Sequence, residues 1–172
     1  LPTASNNKTY PVHLLELIYA LNTVRNALAT FSFFTSPLES PKMSWQEYVN
    51  SSLVGSGHLD KGSITSAAGD SVWATTPGFT VQPDEMKNVV AALAGGDAAD
   101  KLWTEGIYIA GERFVVFKAE GRSIYGRKGR EGIVIVKTTQ AILIGHYGDG
   151  VQAGNAASAV ENLADHLVKS GY

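Results

Sequence analysis

The sequence predicts an α+β domain, a central antiparallel β-sheet covered by helices. Three observations lead there. Between Gly106 and His146 several short strand-like runs follow one another through brief links, and links that short join antiparallel neighbours. Upstream, a second pair of such runs has the spacing of a hairpin. Segments with helical signals stand before, between and after these strands, and a sheet covered by helices buries both of its faces.

Taken in order, the first clear element starts at Met43-Ser44-Trp45-Gln46-Glu47-Tyr48-Val49. Ser44 is positioned to cap a helix, Glu47 completes a capping box three residues on, and Gly55 offers a stop after Leu53 and Val54. Gly62 to Ala67 and Ser71 to Thr75 read as two strands joined through Gly69-Asp70, a hairpin carrying Trp73. Pro83, Asp84 and Glu85 open a helix that runs through Val89, Val90 and Leu93 until Gly95-Gly96 ends it. Strands are expected at Gly106 to Ile109, Arg113 to Lys118, Ile133 to Lys137 and Ala141 to His146, with a shorter one at Ser123 to Gly126. Ala156, Val160, Leu163 and Leu167 recur at helical spacing and define a final amphipathic helix. The ends of a compact domain often lie close together, so the first and last helices are expected to be neighbours.

Residues 1–42 differ in character. Glu16, Asn22, Arg25 and Asn26 interrupt the apolar stretch from Pro11 to Phe34, which argues against a membrane span, and no cleavage pattern of a signal peptide precedes Met43. Leu14, Leu15, Ile18, Leu21 and Leu28 suit one face of an amphipathic helix, with Pro37 and Pro41 separating it from the motif at Met43. The expectation is an N-terminal extension over 1–42, upstream of a natural start at Met43 or disordered, and a functional domain over 43–172.

The 172 residues are 44% hydrophobic and 17% charged, with net charge −2, the profile of one globular domain. With no cysteine, disulfides, thiolate metal sites and cysteine nucleophiles are excluded. The charge is uneven. Arg113, Lys118, Arg122, Arg127, Lys128, Arg130 and Lys137 face only Glu112, Glu120 and Glu131, a local net of +4. That pattern fits an acidic protein or phospholipid headgroups better than nucleic acid, or else a solvated strand face.

Trp45 and Tyr48 share a helix face, and by themselves suit either a core or an exposed platform. Further motifs lie downstream: Ala68-Gly69-Asp70-Ser71-Val72-Trp73-Ala74, Arg122-Ser123-Ile124-Tyr125-Gly126-Arg127, and Leu163-Ala164-Asp165-His166-Leu167 closing in Gly171-Tyr172. Together with the first motif, and in this order, they resemble profilin, most nearly its fungal members, over Met43 to Tyr172. The resemblance implies N- and C-terminal helices packed on the same side of the sheet, with a groove for proline-rich segments lined by Trp45, Tyr48, Trp73, His166 and Tyr172. It implies a second surface for monomeric actin, mapped here to Arg113, Lys118, Arg127, Lys128, Gly154 and Ser158. It further implies phosphoinositide headgroups, including phosphatidylinositol bisphosphate, bound by Arg122, Arg127, Lys128 and Arg130. Gln152 and Asn162 stand where some relatives carry other residues at the actin surface. Proline-rich partners such as formins, promotion of actin's nucleotide exchange, and a place in the cytoplasm at the cytoskeleton belong to the same implication. No cofactor is expected. Trp103 lies outside these motifs and is assigned to packing.

Other functions have weaker support. Gly121 to Gly126 and Gly145 to Gly150 are glycine-rich, yet neither carries a Walker lysine or a dinucleotide fingerprint. His58 with Asp60, or His146 with Asp149, invites a hydrolase reading, but no nucleophile elbow accompanies them and the four histidines have no metal-ligand spacing. A scaffold of the same fold that binds partners other than actin is the stronger alternative, and a small hydrolase the more distant one.

Overall fold

The computed structural model describes residues 44–172. The expected helix at Leu14 to Leu28 and the expected start at Met43 lie outside the described residues. Helix α1 is irregular: an α-helical turn at Trp45–Glu47, a π-helical stretch at Tyr48–Leu53 and a 3₁₀ turn at Val54–Ser56. It is followed by β1 (Lys61–Ser66), β2 (Val72–Thr75), α2 (Pro83–Ala94), α3 (Asp97–Glu105), β3 (Ile107–Ile109), β4 (Glu112–Glu120), β5 (Ser123–Lys128), β6 (Glu131–Lys137), β7 (Ala141–Tyr147) and α4 (Ala153–Lys169).

Seven strands form one antiparallel sheet in the order β2-β1-β7-β6-β5-β4-β3. β6 and β7 lie inside it and are buried at nearly every position, because both faces are covered. Ile133, Ile135, Ile142 and Ile144 pack with Phe79, Met86, Val89 and Leu102 beneath α2 and α3. Val134, Val136 and Leu143 pack with Val49, Leu53, Val160, Leu163 and Leu167 beneath α1 and α4. Strand alternation divides neighbouring residues between these two cores. Each fully buried aliphatic side chain contributes about 1.5–3 kcal/mol of transfer free energy.

Polar anchors join the elements. Glu85, buried on α2, accepts from its own N-cap Gln82 N (2.8 Å) and from Ala110 N (2.8 Å) and Gly111 N (2.7 Å) in the β3–β4 turn. One carboxylate therefore caps a helix and fixes a hairpin, which satisfies a group whose burial would otherwise be costly. On the other side, Glu161 of α4 accepts from Arg122 (3.0 Å), Tyr125 (2.9 Å) and Ser123, so α4 is clasped to β5.

Three expectations are corrected. α1 runs through Gly55 and ends at Gly57, which takes the left-handed conformation (φ 74°). A side chain at Gly55 would lie only 2.8 Å from the Asn50 carbonyl, so this glycine serves the widened helix rather than stopping it. Residues 97–105, where the sequence signals no helix, form α3 directly after Gly95-Gly96. Trp103 is not packed away. It is 51% exposed while its neighbour Leu102 is buried, because successive residues on a helix point about 100° apart and α3 has room for only one buried stripe.

Candidate functional site: an aromatic groove and a mixed apolar-basic face

The aromatic groove is assembled from both ends of the domain. Ser44 Oγ accepts from Glu47 N (3.2 Å) and Glu47 Oε2 accepts from Ser44 N (2.6 Å), completing the capping box that starts α1. Gln46 donates to the Thr75 carbonyl of β2 (3.2 Å), which sets α1 against the hairpin. At the other terminus Tyr172 N donates to the Leu167 carbonyl (2.9 Å), and Gln140 donates to the Gly171 carbonyl (2.6 Å). Those bonds fold the last residues back over α1.

The rings consequently touch in an unbroken chain. Trp45 stands at the centre, with ring centroids 4.6 Å from Trp73, 4.9 Å from Tyr172 in an edge-on arrangement and 5.9 Å from Tyr48; Tyr48 is in turn 5.9 Å from His166. These separations lie in the range where aromatic pairs attract beyond their area burial. Trp45, Tyr48, Trp73 and Tyr172 are half-buried and His166 is exposed, so one side of the cluster rests on the core while the other meets solvent. All five residues expected to line a groove are brought together. Off its Tyr48–His166 end a polar cleft opens between α1 and α4, bordered by Ser52, Ser56, His58, Asn155 and Asn162.

The second set of expected residues is dispersed. Lys118, Arg127 and Gly154 gather around Phe117, in shallow clefts that also include Val115 and Ala153. Val115 and Phe117 are 54% and 52% exposed. Sequence reasoning missed both, although the run Phe114-Val115-Val116-Phe117 carries the signal: in a strand, half of it must face away from Phe114 and Val116. Ser158 lies instead on the α1 side of α4, along the polar cleft. Arg113 donates to the Glu105 carbonyl (2.6 Å), and Lys128 pairs with Glu112 (3.2 Å) near the sheet edge.

The four cations grouped for phosphoinositides divide likewise. Arg127 and Arg130 border one concavity with Gly129, Asp149 and Val151, and Arg130 pairs there with Asp149 (3.4 Å). Lys128 alternates away from Arg127. Arg122, at the far end of β5, is held by Glu161 and Asp165; this hydrogen bonding to the Arg122 guanidinium keeps the Asp165 carboxyl below the usual carboxylate range.

The residues of the hydrolase reading do not assemble. Asp149 pairs with Arg130, and His146 contacts Asp60 (Nδ1 to Oδ1, 2.6 Å). The two glycine-rich stretches are turns and strand ends. Among the described residues, no helix is long and apolar enough to cross a membrane.

Known proteins share this fold. The family model described as Profilin matches residues 43–172. The profilins of Schizosaccharomyces pombe and Saccharomyces cerevisiae are each 45% identical over 130 residues, 76% of this chain and 100% of theirs. A crystal structure of Schizosaccharomyces pombe profilin is similar with a TM-score of 0.71 at 43% identity, covering 75% of this chain and 100% of that one. Mouse profilin IIa, solved in complex with a double repeat from the FH1 domain of mDia1, has the same fold at 20% identity, with a TM-score of 0.62 over 76% of this chain and 100% of that one. With these matches and the α+β architecture in agreement, the chain belongs to the profilin family, whose members are actin-binding regulators and not enzymes.

Proposed function

We propose that the aromatic groove binds proline-rich segments while the face around Phe117 and Arg127 binds monomeric actin. The observation that carries the first half is the continuous ring chain from Trp73 through Trp45 and Tyr48 to His166. A polyproline helix makes no internal hydrogen bonds and has little conformational entropy to lose, so its pyrrolidines stack on flat rings. The tryptophan N–H and tyrosine O–H groups donate to its free carbonyls.

Exposed Val115 and Phe117 beside Arg127 and Lys118 support the second half. The apolar side chains supply area to bury, and the cations steer an acidic partner and set its register. Bound at both faces, the protein holds an actin monomer close to a proline-rich factor and raises its local concentration there. Promotion of actin's nucleotide exchange and action in the cytoplasm at the cytoskeleton complete this reading. Phosphoinositide headgroups meet Arg127 and Arg130, the two cations that share a concavity, and compete with protein ligands.

Retention on immobilised polyproline, combined with actin sedimentation at increasing protein concentration, tests both halves. The expected result is retention, with a shift of actin to the unsedimented monomer. Retention without an effect on actin favours a scaffold for other partners, and no retention removes the groove assignment.

A further inference from the structure

Beyond these two faces, one end of the sheet carries a group of side chains that neither binding role uses. His146 of β7 is only 5% exposed. Its ring lies against Phe79 and Phe114, with centroids 6.3 and 6.0 Å away. Nδ1 is 2.6 Å from Asp60 Oδ1. The opposite nitrogen, Nε2, has no hydrogen-bond partner among the described residues and faces Glu131 Oε2 at 4.0 Å. Glu112 of β4 completes the cluster: one ligand atom each from Glu112, Glu131 and His146 lies within 4.8 Å of the others.

With Asp60 accepting the Nδ1 proton, Nε2 presents a lone pair to two carboxylates. Three acceptors then converge with Lys128 as a donor to Glu112 alone, an arrangement that a cation stabilises. A carboxylate holding the far nitrogen of an imidazole is also what orients histidine ligands in zinc sites and raises their basicity. We propose that His146 Nε2, Glu131 and Glu112 form a binding site for a divalent transition-metal ion of the zinc type, with Asp60 as the residue that positions the imidazole.

The ligand set is one nitrogen and two oxygens, with water left to fill the fourth position, and it suits zinc better than magnesium. Zinc–ligand distances of about 2.0–2.2 Å require the three atoms to draw inward. Both glutamates can do so, since Glu112 is exposed and Glu131 is half-buried, while buried His146 stays in place. The apolar walls of Phe79 and Phe114 lower the local dielectric and strengthen the attraction. One ammonium group opposes the metal, that of Lys128, 3.2 Å from Glu112. Lys128 must release Glu112 as the ion enters. Sequence spacing gives no sign of the site because its ligands come from three separate strands.

The test is calorimetric titration of the full chain with Zn²⁺ near neutral pH, with the histidine ring resonances followed by NMR. The expected result is one saturable site that shifts the His146 ring signals and is not displaced by Mg²⁺. Glu131→Gln and Glu112→Gln should each weaken it roughly tenfold or more, and Asp60→Asn about ten- to hundredfold through loss of imidazole orientation. His58→Gln should leave the affinity unchanged. Because His146 is buried and its replacement endangers folding, the two glutamate variants carry the test. Absence of saturable uptake overturns the proposal. Uptake that leaves the His146 signals unmoved, or that survives both glutamate substitutions, overturns it as well.

Discussion

Five rings at the α1–α4 end of the sheet touch one another in a single chain, whereas the cations of β4 and β5 are split between two sheet faces and several carboxylates. The difference follows from where each set sits. The aromatic residues occupy element ends, the first turns of α1, the β1–β2 hairpin and the last turn of α4 with its tail, and these ends converge on one corner. The cations are spread along the strands and the turns between them, and where two are consecutive in β5, alternation sends Arg127 and Lys128 to opposite sides. Similar residues therefore make one site in the first region and only fragments of one in the second. The aromatic site gains from mutual packing, and the charged face depends on what each cation already holds.

The largest expected effect tests the unity of the groove. Trp45→Ala removes the ring that contacts three others and should cost at least about 2 kcal/mol in polyproline affinity, some thirtyfold, as expected of a central aromatic hot spot. Retention and fluorescence titration measure it, while actin sedimentation should stay near wild type. Equal loss of both activities would show that Trp45 supports the whole domain and would erase the contrast.

Phe117→Ala should weaken actin binding by about 1–2 kcal/mol and leave polyproline affinity unchanged. Arg127→Gln should act differently at the same face, slowing association and flattening its dependence on salt more than it speeds dissociation; stopped-flow kinetics at two ionic strengths separate these effects. A change in polyproline affinity from either variant would join the two regions.

A smaller effect concerns the clasp between β5 and α4. In the folded protein the Asp165 carboxyl is held below its ordinary range by Arg122, so it binds a proton less readily there than in the unfolded chain. Its contribution to stability is present above the unfolded carboxylate value, about 3.9, and is lost as the pH falls through the lower folded value. Thermal melts between pH 7 and about 3 should show Arg122→Gln losing this part of the acid sensitivity. The smallest effect is at Tyr147, whose buried hydroxyl has no partner among the described residues. Tyr147→Phe should be neutral or slightly stabilising in denaturant melts, because it removes an unsatisfied polar group.

Much of this was legible in residue order. The capping box at Ser44 and Glu47, Pro83 at the head of α2, the short links between strands and the helical period of α4 are local signals, and each marks an element that forms. Helix α3 escaped because it starts immediately after a glycine pair that reads as a stop and carries only one deeply buried residue, Leu102. The end of α1 was misplaced because the π-helical stretch draws the chain past Gly55. The five groove residues were recognised through family resemblance, since spacing alone pointed Trp45 and Tyr48 toward a core.

By itself, the sequence determined the secondary elements, the apolar strands that must be covered on both faces and the family, because these depend on caps, turns and periods acting over a few residues. Tertiary structure alone decided which cations share a surface, that Val115 and Phe117 face outward beside Arg127, and that His146 meets Asp60 across 86 residues of chain. Side chains that distant are brought together by sheet register and helix docking, which set neighbours in space without leaving a local trace in the order of residues.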